Sequence, residues 1–353
     1  VRVYASLEEV PIAAGRHEVR IPVTTDMNGT PVVIWGHVLN GAQPGPTLLL
    51  LSGLHGNEWL HLHFFRTIVD SFVPDQTAGR LLVVPIANQV AFGTLSRAVR
   101  DDSDSPDTAR AFPSGGRRFT WLAEQVAQTL ADRILPTVNY LLDFHVGMWG
   151  SAMASILVGQ DYSSGSVNQE SWALARAFGA PLIFAAHMIS GWPGPRTCLS
   201  YAGEVLSIPC CGSMLGGAGF DRALEEKWLA GNVRGVLNVM SHLSMIAHEI
   251  ETLENTLVYE FLQRVNPRCG GLLVPVHQPD QFGRPVRAGE LLGSIISPLS
   301  LQTVEELRSP VDGYLGYWAR AYPVRPGDWA YGVIPADGKG TRWLSRKLKG
   351  TEL

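Results

Sequence analysis

Thr47-Leu48-Leu49-Leu50-Leu51-Ser52-Gly53-Leu54-His55-Gly56-Asn57-Glu58 is the stretch whose reading sets the fold. It follows the break Pro44-Gly45-Pro46, and the short apolar run Thr47 to Leu51 reads as a strand buried on both faces. The run ends in Gly53-x-His55-Gly56-Asn57-Glu58, and a helix-like pattern then extends from near Trp59 to about Phe72. In open α/β sheets the carboxyl ends of the strands are where ligands bind. Gly53 and Gly56 would let the backbone turn tightly there.

Working outward, His17 to Val23 alternates in strand fashion, Asp26-Met27-Asn28-Gly29 is a turn, and Pro31 to Val38 reads as the returning strand. Leu81 to Ile86 is a second buried strand, residues 88 to 117 are loop-like, and a helix is expected from about Thr120 to Leu135. The apolar strand Tyr140-Leu141-Leu142-Asp143-Phe144 follows. Strands alternating with helices predict an α/β fold, a mixed and largely parallel sheet flanked by helices.

After about residue 255 the texture changes to short extended runs separated by Gly and Pro: Gly270 to Val276, Gly283 to Ile295, Glu305 to Trp318 and Val324 to Ile334. This predicts a small C-terminal all-β domain, a barrel or sandwich. Pro285-Val286-Arg287-Ala288-Gly289-Glu290 and Pro323-Val324-Arg325-Pro326-Gly327-Asp328 resemble each other and read as two related turns. The expected division is 1–254 and 255–353, with the boundary in the polar stretch Glu249 to Asn255.

With 353 residues, 46% of them hydrophobic, the chain is long enough for one large core and a smaller domain. A net charge of -4 without a Lys/Arg run argues against a nucleic-acid or membrane surface. No apolar run reaches the ~18 residues of a membrane span. Val1 to Gly15 does not read as a signal peptide. Cys198, Cys210, Cys211 and Cys269 show no disulfide framework, so a reduced, cytoplasmic protein is expected. A homo-oligomer is compatible with all of this.

His55 and Glu58, three residues apart where a strand turns into a helix, can present an imidazole nitrogen and a carboxylate oxygen to one point. Such a pair is weak evidence alone. Asp143-Phe144-His145 strengthens it, because His145 also leaves the end of an apolar strand on the same sheet edge. Three ligands of this kind, with one position left for water, are the usual set of a catalytic zinc. Asp143, two residues earlier on the same face, can orient a ligand or a water. His61 and His63 fall within the following helix and read as packing or surface residues.

Together, Pro44-Gly45-Pro46-Thr47, Gly53-x-His55-Gly56-Asn57-Glu58 and Asp143-x-His145 resemble the succinylglutamate desuccinylase/aspartoacylase family, within the wider zinc carboxypeptidase-like fold. The resemblance extends through Asn88-x-x-Ala91-Phe92, Asp107-Thr108-Ala109-Arg110-Ala111-Phe112-Pro113, Gly216-Gly217-Ala218-Gly219 and Gly235 to Leu243. It covers most of the chain. It implies Zn2+ held by His55, Glu58 and His145, and Arg110 gripping a substrate carboxylate through its fork of donors. The alternative for Arg110 is an ion pair with Asp101, Asp102 or Asp104, and Arg97 is a weaker candidate for the carboxylate. The implied activity is deacylation of a small carboxylate-bearing N-acyl amino acid or related amide.

Two departures bear on mechanism. The family's Asn beside the arginine is Ala109 here, and the position of its general base Glu, counted back from the Gly-rich turn, holds Met214. Methionine cannot take a proton, and losing a general base commonly costs ~10²- to 10⁴-fold in rate. Glu204, Asp143, Cys210 or Cys211 could replace the Glu, although both cysteines also read as small buried strand residues. Alternatively the scaffold runs a non-hydrolytic reaction such as cyclisation, acyl transfer or elimination. A third reading is a catalytically inactive, zinc-containing ligand-binding protein.

Overall fold

A computed structural model of the chain describes residues 3–99, 106–113, 121–147, 151–191, 193–218, 221–251, 253–277, 281–319 and 322–345. The first strands are β1 (Val3–Tyr4), β2 (Gly15–Thr25), β3 (Pro31–Asn40), β4 (Gln43–Ser52), β5 (Ala78–Val84) and β6 (Tyr140–Val146). Next come β7 (Ser151–Ala152), β8 (Ala154–Gly159), β9 (Leu182–Ala186), β10 (Cys210–Leu215) and β11 (Asn255–Tyr259). The remainder are β12 (Gln263–Val265), β13 (Gly271–Pro275), β14 (Pro285–Val286), β15 (Leu291–Ile296) and β16 (Thr303–Arg308). They end with β17 (Gly313–Ala319), β18 (Tyr322–Val324), β19 (Tyr331–Pro335) and β20 (Arg342–Ser345).

One 11-stranded sheet runs in the order β1-β2-β3-β5-β4-β6-β10-β8-β9-β11-β20. Its centre, β5-β4-β6-β10, is parallel, and β8 then runs antiparallel to β10. The expected mixed, largely parallel sheet is therefore present. Leu48, Leu50 and Phe144 pack with α1 (His61–Ser71) residues Phe64, Phe65 and Ile68, whereas Leu49 and Leu51 belong to the core on the opposite face. Leu48, Leu49, Leu50 and Leu51 are all fully buried, each worth roughly 1.5–3 kcal/mol relative to an exposed side chain. This two-sided burial is why the strand lacks polar alternation.

The expected helix near Thr120 to Leu135 is observed from Leu122 to Thr129, extended by tighter and wider turns to Thr137. Thr120 itself lies outside the described residues.

Two smaller sheets, β12-β19-β17-β14 and β16-β15-β13-β18, form the C-terminal β unit, and β7 joins β17. The division expected at residue 255 is displaced by the pairing. β11 lies parallel to β9, and β20 is antiparallel to β11, so both are strands of the large sheet. Leu257, Val258 and Tyr259 are buried apolar residues that complete its core, which is why this strand stays with the first unit. The two similar turns prove equivalent. Arg287 N–H donates to Glu290 Oε2 at 3.0 Å and Arg325 N–H to Asp328 Oδ2 at 2.8 Å.

Among the described residues no helix is long and apolar enough to cross a membrane.

Candidate metal centre and cleft

The residues that matter gather at the carboxyl ends of β4 and β6. Gly53 has φ +69°, and a Cβ there would lie 2.6 Å from Ile86 Cα, so only glycine suits the turn that follows β4. Gly56 abuts the backbone of Ala91. These two close approaches swing His55 and Glu58 back over the sheet edge.

His55 Nδ1 lies 2.7 Å from Glu58 Oε1, and His145 Nδ1 lies 2.9 Å from Glu58 Oε2. One ligand-type atom from each of the three residues falls within 4.8 Å of the others. The far nitrogens are held as well: His55 Nε2 is 2.7 Å from Asp107 Oδ1, and His145 Nε2 is 3.1 Å from Asp143 Oδ2. Val146 N–H donates to Glu58 Oε2 at 3.1 Å. A carboxylate on the outer nitrogen fixes the tautomer and orientation of a metal-ligating imidazole. Both imidazoles have one.

The electrostatics follow from burial in competition with charge. Burial alone would lower the pKa of His145, but Asp143 and Glu58 outweigh it and hold it well above the usual imidazole value. Burial likewise opposes the charged form of His55, and Glu58 with Asp107 raises its pKa regardless. Glu58, although buried, is kept well below the ordinary carboxylate range by His55 and His145. Asp107 is also held low against burial, by its hydrogen bond with His55 and the nearby charges of His55 and Arg97. Burial and charge thus oppose one another at each group of the centre, and the carboxylates favour the protonated form of both imidazoles, with which a cation entering the site would compete.

Arg97 reaches further into this cluster than expected, with one guanidinium nitrogen 3.1 Å from Asp107 Oδ2 and another 3.4 Å from Glu58 Oε1. Arg110 lines the same cleft and donates to the Pro193 carbonyl at 2.6 Å. Asp101, Asp102 and Asp104, the alternative partners for Arg110, lie outside the described residues, as does Gly219 of the Gly-rich turn. Ala109 is buried at the cleft wall, where its N–H donates to Asp107 Oδ1 at 2.9 Å.

Met214 pairs in register with His145 and lines the cleft. The sequence-based replacements for a base are sorted by the structure. Glu204 accepts a hydrogen bond from Ser163 N–H at 2.6 Å and is not among the residues lining the cleft, so it cannot act there. Cys210 and Cys211 are fully buried in β10. Burial pushes the Cys210 thiol up to about 12 and Cys211 well above its usual value, which removes both as thiolates. Asp143 does line the cleft, and its Oδ1 is buried with no hydrogen-bond partner among the described residues.

His61 is fully buried against Phe64, Phe65 and Phe144, and burial lowers its pKa to about 4. It is a neutral packing residue, while His63 is exposed on the helix surface.

Sequence reasoning passed over Asp107 as a site residue, although it stands three residues before Arg110 in the quoted motif. It also missed Tyr317 and Trp329, which come from the C-terminal β unit to close the cleft of about 500 Å³. No local pattern marks those two.

The fold and the cleft together describe an open α/β sheet carrying a two-histidine, one-carboxylate centre at its carboxyl edge. Residues 44–243, more than half the chain, match the catalytic-domain model of the succinylglutamate desuccinylase/aspartoacylase family. The chain belongs to that family, whose members are deacylating amidohydrolases acting on amide C–N bonds. The N-alpha-acetyl-L-2,4-diaminobutyric acid deacetylase of Halomonas elongata is 23% identical over 314 residues, covering 86% of each chain. A succinylglutamate desuccinylase/aspartoacylase structure from Rhodobacter sphaeroides shares the fold at TM-score 0.75 and 24% identity, over 93% of this chain and 98% of that one. The product-bound ectoine utilisation protein EutE (DoeB) of Ruegeria pomeroyi does so at TM-score 0.76 and 21% identity, with the same coverage.

Proposed function

We propose that the chain is a zinc-dependent amidohydrolase of zinc carboxypeptidase-like fold. Its substrate would be a small carboxylate-bearing N-acyl amino acid or related amide. The observation that carries this reading is the pair of clamped imidazoles. Each is pinned by a carboxylate on its outer nitrogen, Asp107 for His55 and Asp143 for His145, while the inner nitrogens converge on Glu58. Two nitrogens and a carboxylate fit zinc and leave a position open. Zinc bound by His55, Glu58 and His145 supplies Lewis-acid activation of an amide carbonyl and of a water.

The remaining roles fall to the chain's own groups. Arg97, a cation bonded to Glu58 and Asp107, would donate to the carbonyl oxygen as negative charge develops on it. Arg110, at the cleft wall, holds the substrate carboxylate. Asp143 orients His145 from its outer nitrogen, with Oδ2 at 3.1 Å. The small β unit shapes the cleft through Tyr317 and Trp329.

A non-hydrolytic zinc reaction on the same scaffold is the second reading. One observation favours it: Met214 stands beside His145 where a base is expected, and each cleft carboxylate already faces an imidazole. Amine release from a panel of N-acyl amino acids, with and without a chelator, separates the readings. Release abolished by chelation and restored by zinc supports the hydrolase. Metal-dependent conversion without release supports the second reading, and binding without turnover would leave a ligand-binding protein.

A further inference from the structure

The turn that carries Asp107 is too short to hold itself. Thr108–Arg110 is a single turn, closed by Arg110 N–H to Asp107 O at 2.9 Å and Ala111 N–H to Thr108 O at 3.2 Å. A lone helical turn fixes several backbone dihedrals for very little hydrogen bonding and is unfavourable without outside support. Asp107 nonetheless keeps Oδ1 2.7 Å from Nε2 of His55, which lies 52 residues away in the chain. Its placement therefore depends on side chains that tie the turn to the rest of the site.

Thr108 supplies such a tie. It is fully buried, and its Oγ1 accepts from Nδ2 of the equally buried Asn88 at 2.9 Å. Asn88 is anchored in turn. Its Oδ1 accepts from Ala91 N–H at 3.1 Å, capping the short helix α2 (Gln89–Gly93), and its own N–H donates to Gly53 O at 2.9 Å. Gly53 opens the turn that presents His55. The contacts therefore close a circuit, from Gly53 to Asn88, from Asn88 to Thr108, from the adjoining Asp107 to His55, and along the chain back to Gly53. The outer carboxylate is thereby set relative to the backbone turn of the very imidazole it bonds. Asn88 also fixes, through Ala91, the backbone against which Gly56 packs.

We propose that Thr108 and Asn88 are positioning residues of the metal centre, whose buried hydrogen bond holds Asp107 against His55 and so tightens metal binding. This rests on the reading that His55, Glu58 and His145 hold zinc. Neither Thr108 nor Asn88 lines the cleft, so both act through Asp107 rather than on ion or substrate. Valine has nearly the shape of threonine but no oxygen to accept a hydrogen bond. In its place Asn88 Nδ2 would be left buried and unpaired, and Asp107 would lose the tie that sets its distance from His55.

The test measures zinc affinity by competition with a chromogenic chelator, and the thermal transition of each metal-free protein establishes that it is folded. Thr108→Val should weaken zinc binding about tenfold, the lower end of the loss for disturbing the outer partner of a ligating imidazole. Thr108→Ser keeps the hydroxyl and should stay within about twofold of the unmodified chain. In an Asp107→Asn background, Thr108→Val should cost less than about twofold, because the carboxylate through which it acts is gone. Thr108→Ala should follow Thr108→Val, and it takes that variant's place if valine prevents folding. Full zinc affinity in the folded Val or Ala variant would overturn the inference and leave the metal centre standing. An equal loss in both backgrounds, the mark of a purely structural role, would do the same. An unmodified chain that binds no zinc would overturn the metal reading itself, and this inference with it.

Discussion

Replacing Asp107 by Asn isolates the part played by a carboxylate that bonds His55 without lining the cleft itself. The change is nearly isosteric and keeps an oxygen that can still accept from Ala109 N–H, now 2.9 Å from Asp107 Oδ1. What is lost is the negative charge 2.7 Å from His55 Nε2 and its contact with Arg97 at 3.1 Å. Removing the outer partner of a ligating imidazole typically costs 10- to 100-fold in metal affinity, about 1.4–2.7 kcal/mol. The same carboxylate also stabilises the imidazolium, because it helps raise the His55 pKa. Below that raised pKa, zinc must displace a proton from His55, and the substitution makes the proton easier to displace. The affinity loss should therefore be smaller at about pH 6 than at about pH 8, where His55 gives up less proton. Competition with a chromogenic chelator at the two pH values reads both quantities. Zinc affinity unchanged within about twofold at both would refute the reasoning, and so would a loss that grows as the pH falls.

Three further outcomes are expected. Met214→Glu places a carboxylate in register with His145 and should raise amide hydrolysis by ~10²- to 10⁴-fold; an unchanged rate in a zinc-loaded variant would show that Met214 is not at the base position. Arg110→Lys keeps the charge but loses the two-pronged grip, so kcat/KM should drop roughly 10- to 100-fold, mostly through KM, for carboxylate substrates only. The corresponding methyl esters should be turned over equally by both proteins. Alkylation of the folded chain should mark Cys269 alone among the four cysteines, because Cys198, Cys210 and Cys211 are buried; mass spectrometry showing equally rapid labelling at Cys210 would contradict that placement.

Much of this was legible because it was local. Five successive residues from Thr47 to Leu51 without polar alternation required burial on both faces, and the glycine-flanked His55 and Glu58 had to emerge where that strand ended. The same reasoning placed His145 on the same edge two residues after Asp143. What was not legible depends on pairing distant in sequence. Leu257, Val258 and Tyr259 looked like the first strand of the small β unit, yet their burial beside β9 puts them in the large sheet. Tyr317 and Trp329 reach the cleft only through the packing of one unit on the other, which no local pattern encodes. Glu204 had a suitable carboxylate and a nearby number, but its turn aims it at Ser163. Asp107 is the intermediate case: its motif was visible, but its partner His55 lies 52 residues away.

The central claim is that His55, Glu58 and His145 share one zinc ion. Anomalous diffraction at the zinc edge, from crystals of the zinc-loaded chain, tests it most directly. The account predicts one peak about 2.0–2.2 Å from His55 Nδ1, His145 Nδ1 and a Glu58 oxygen, with Asp107 and Asp143 still on the outer nitrogens. Stoichiometric zinc with its peak elsewhere, or on fewer than these three residues, would contradict it.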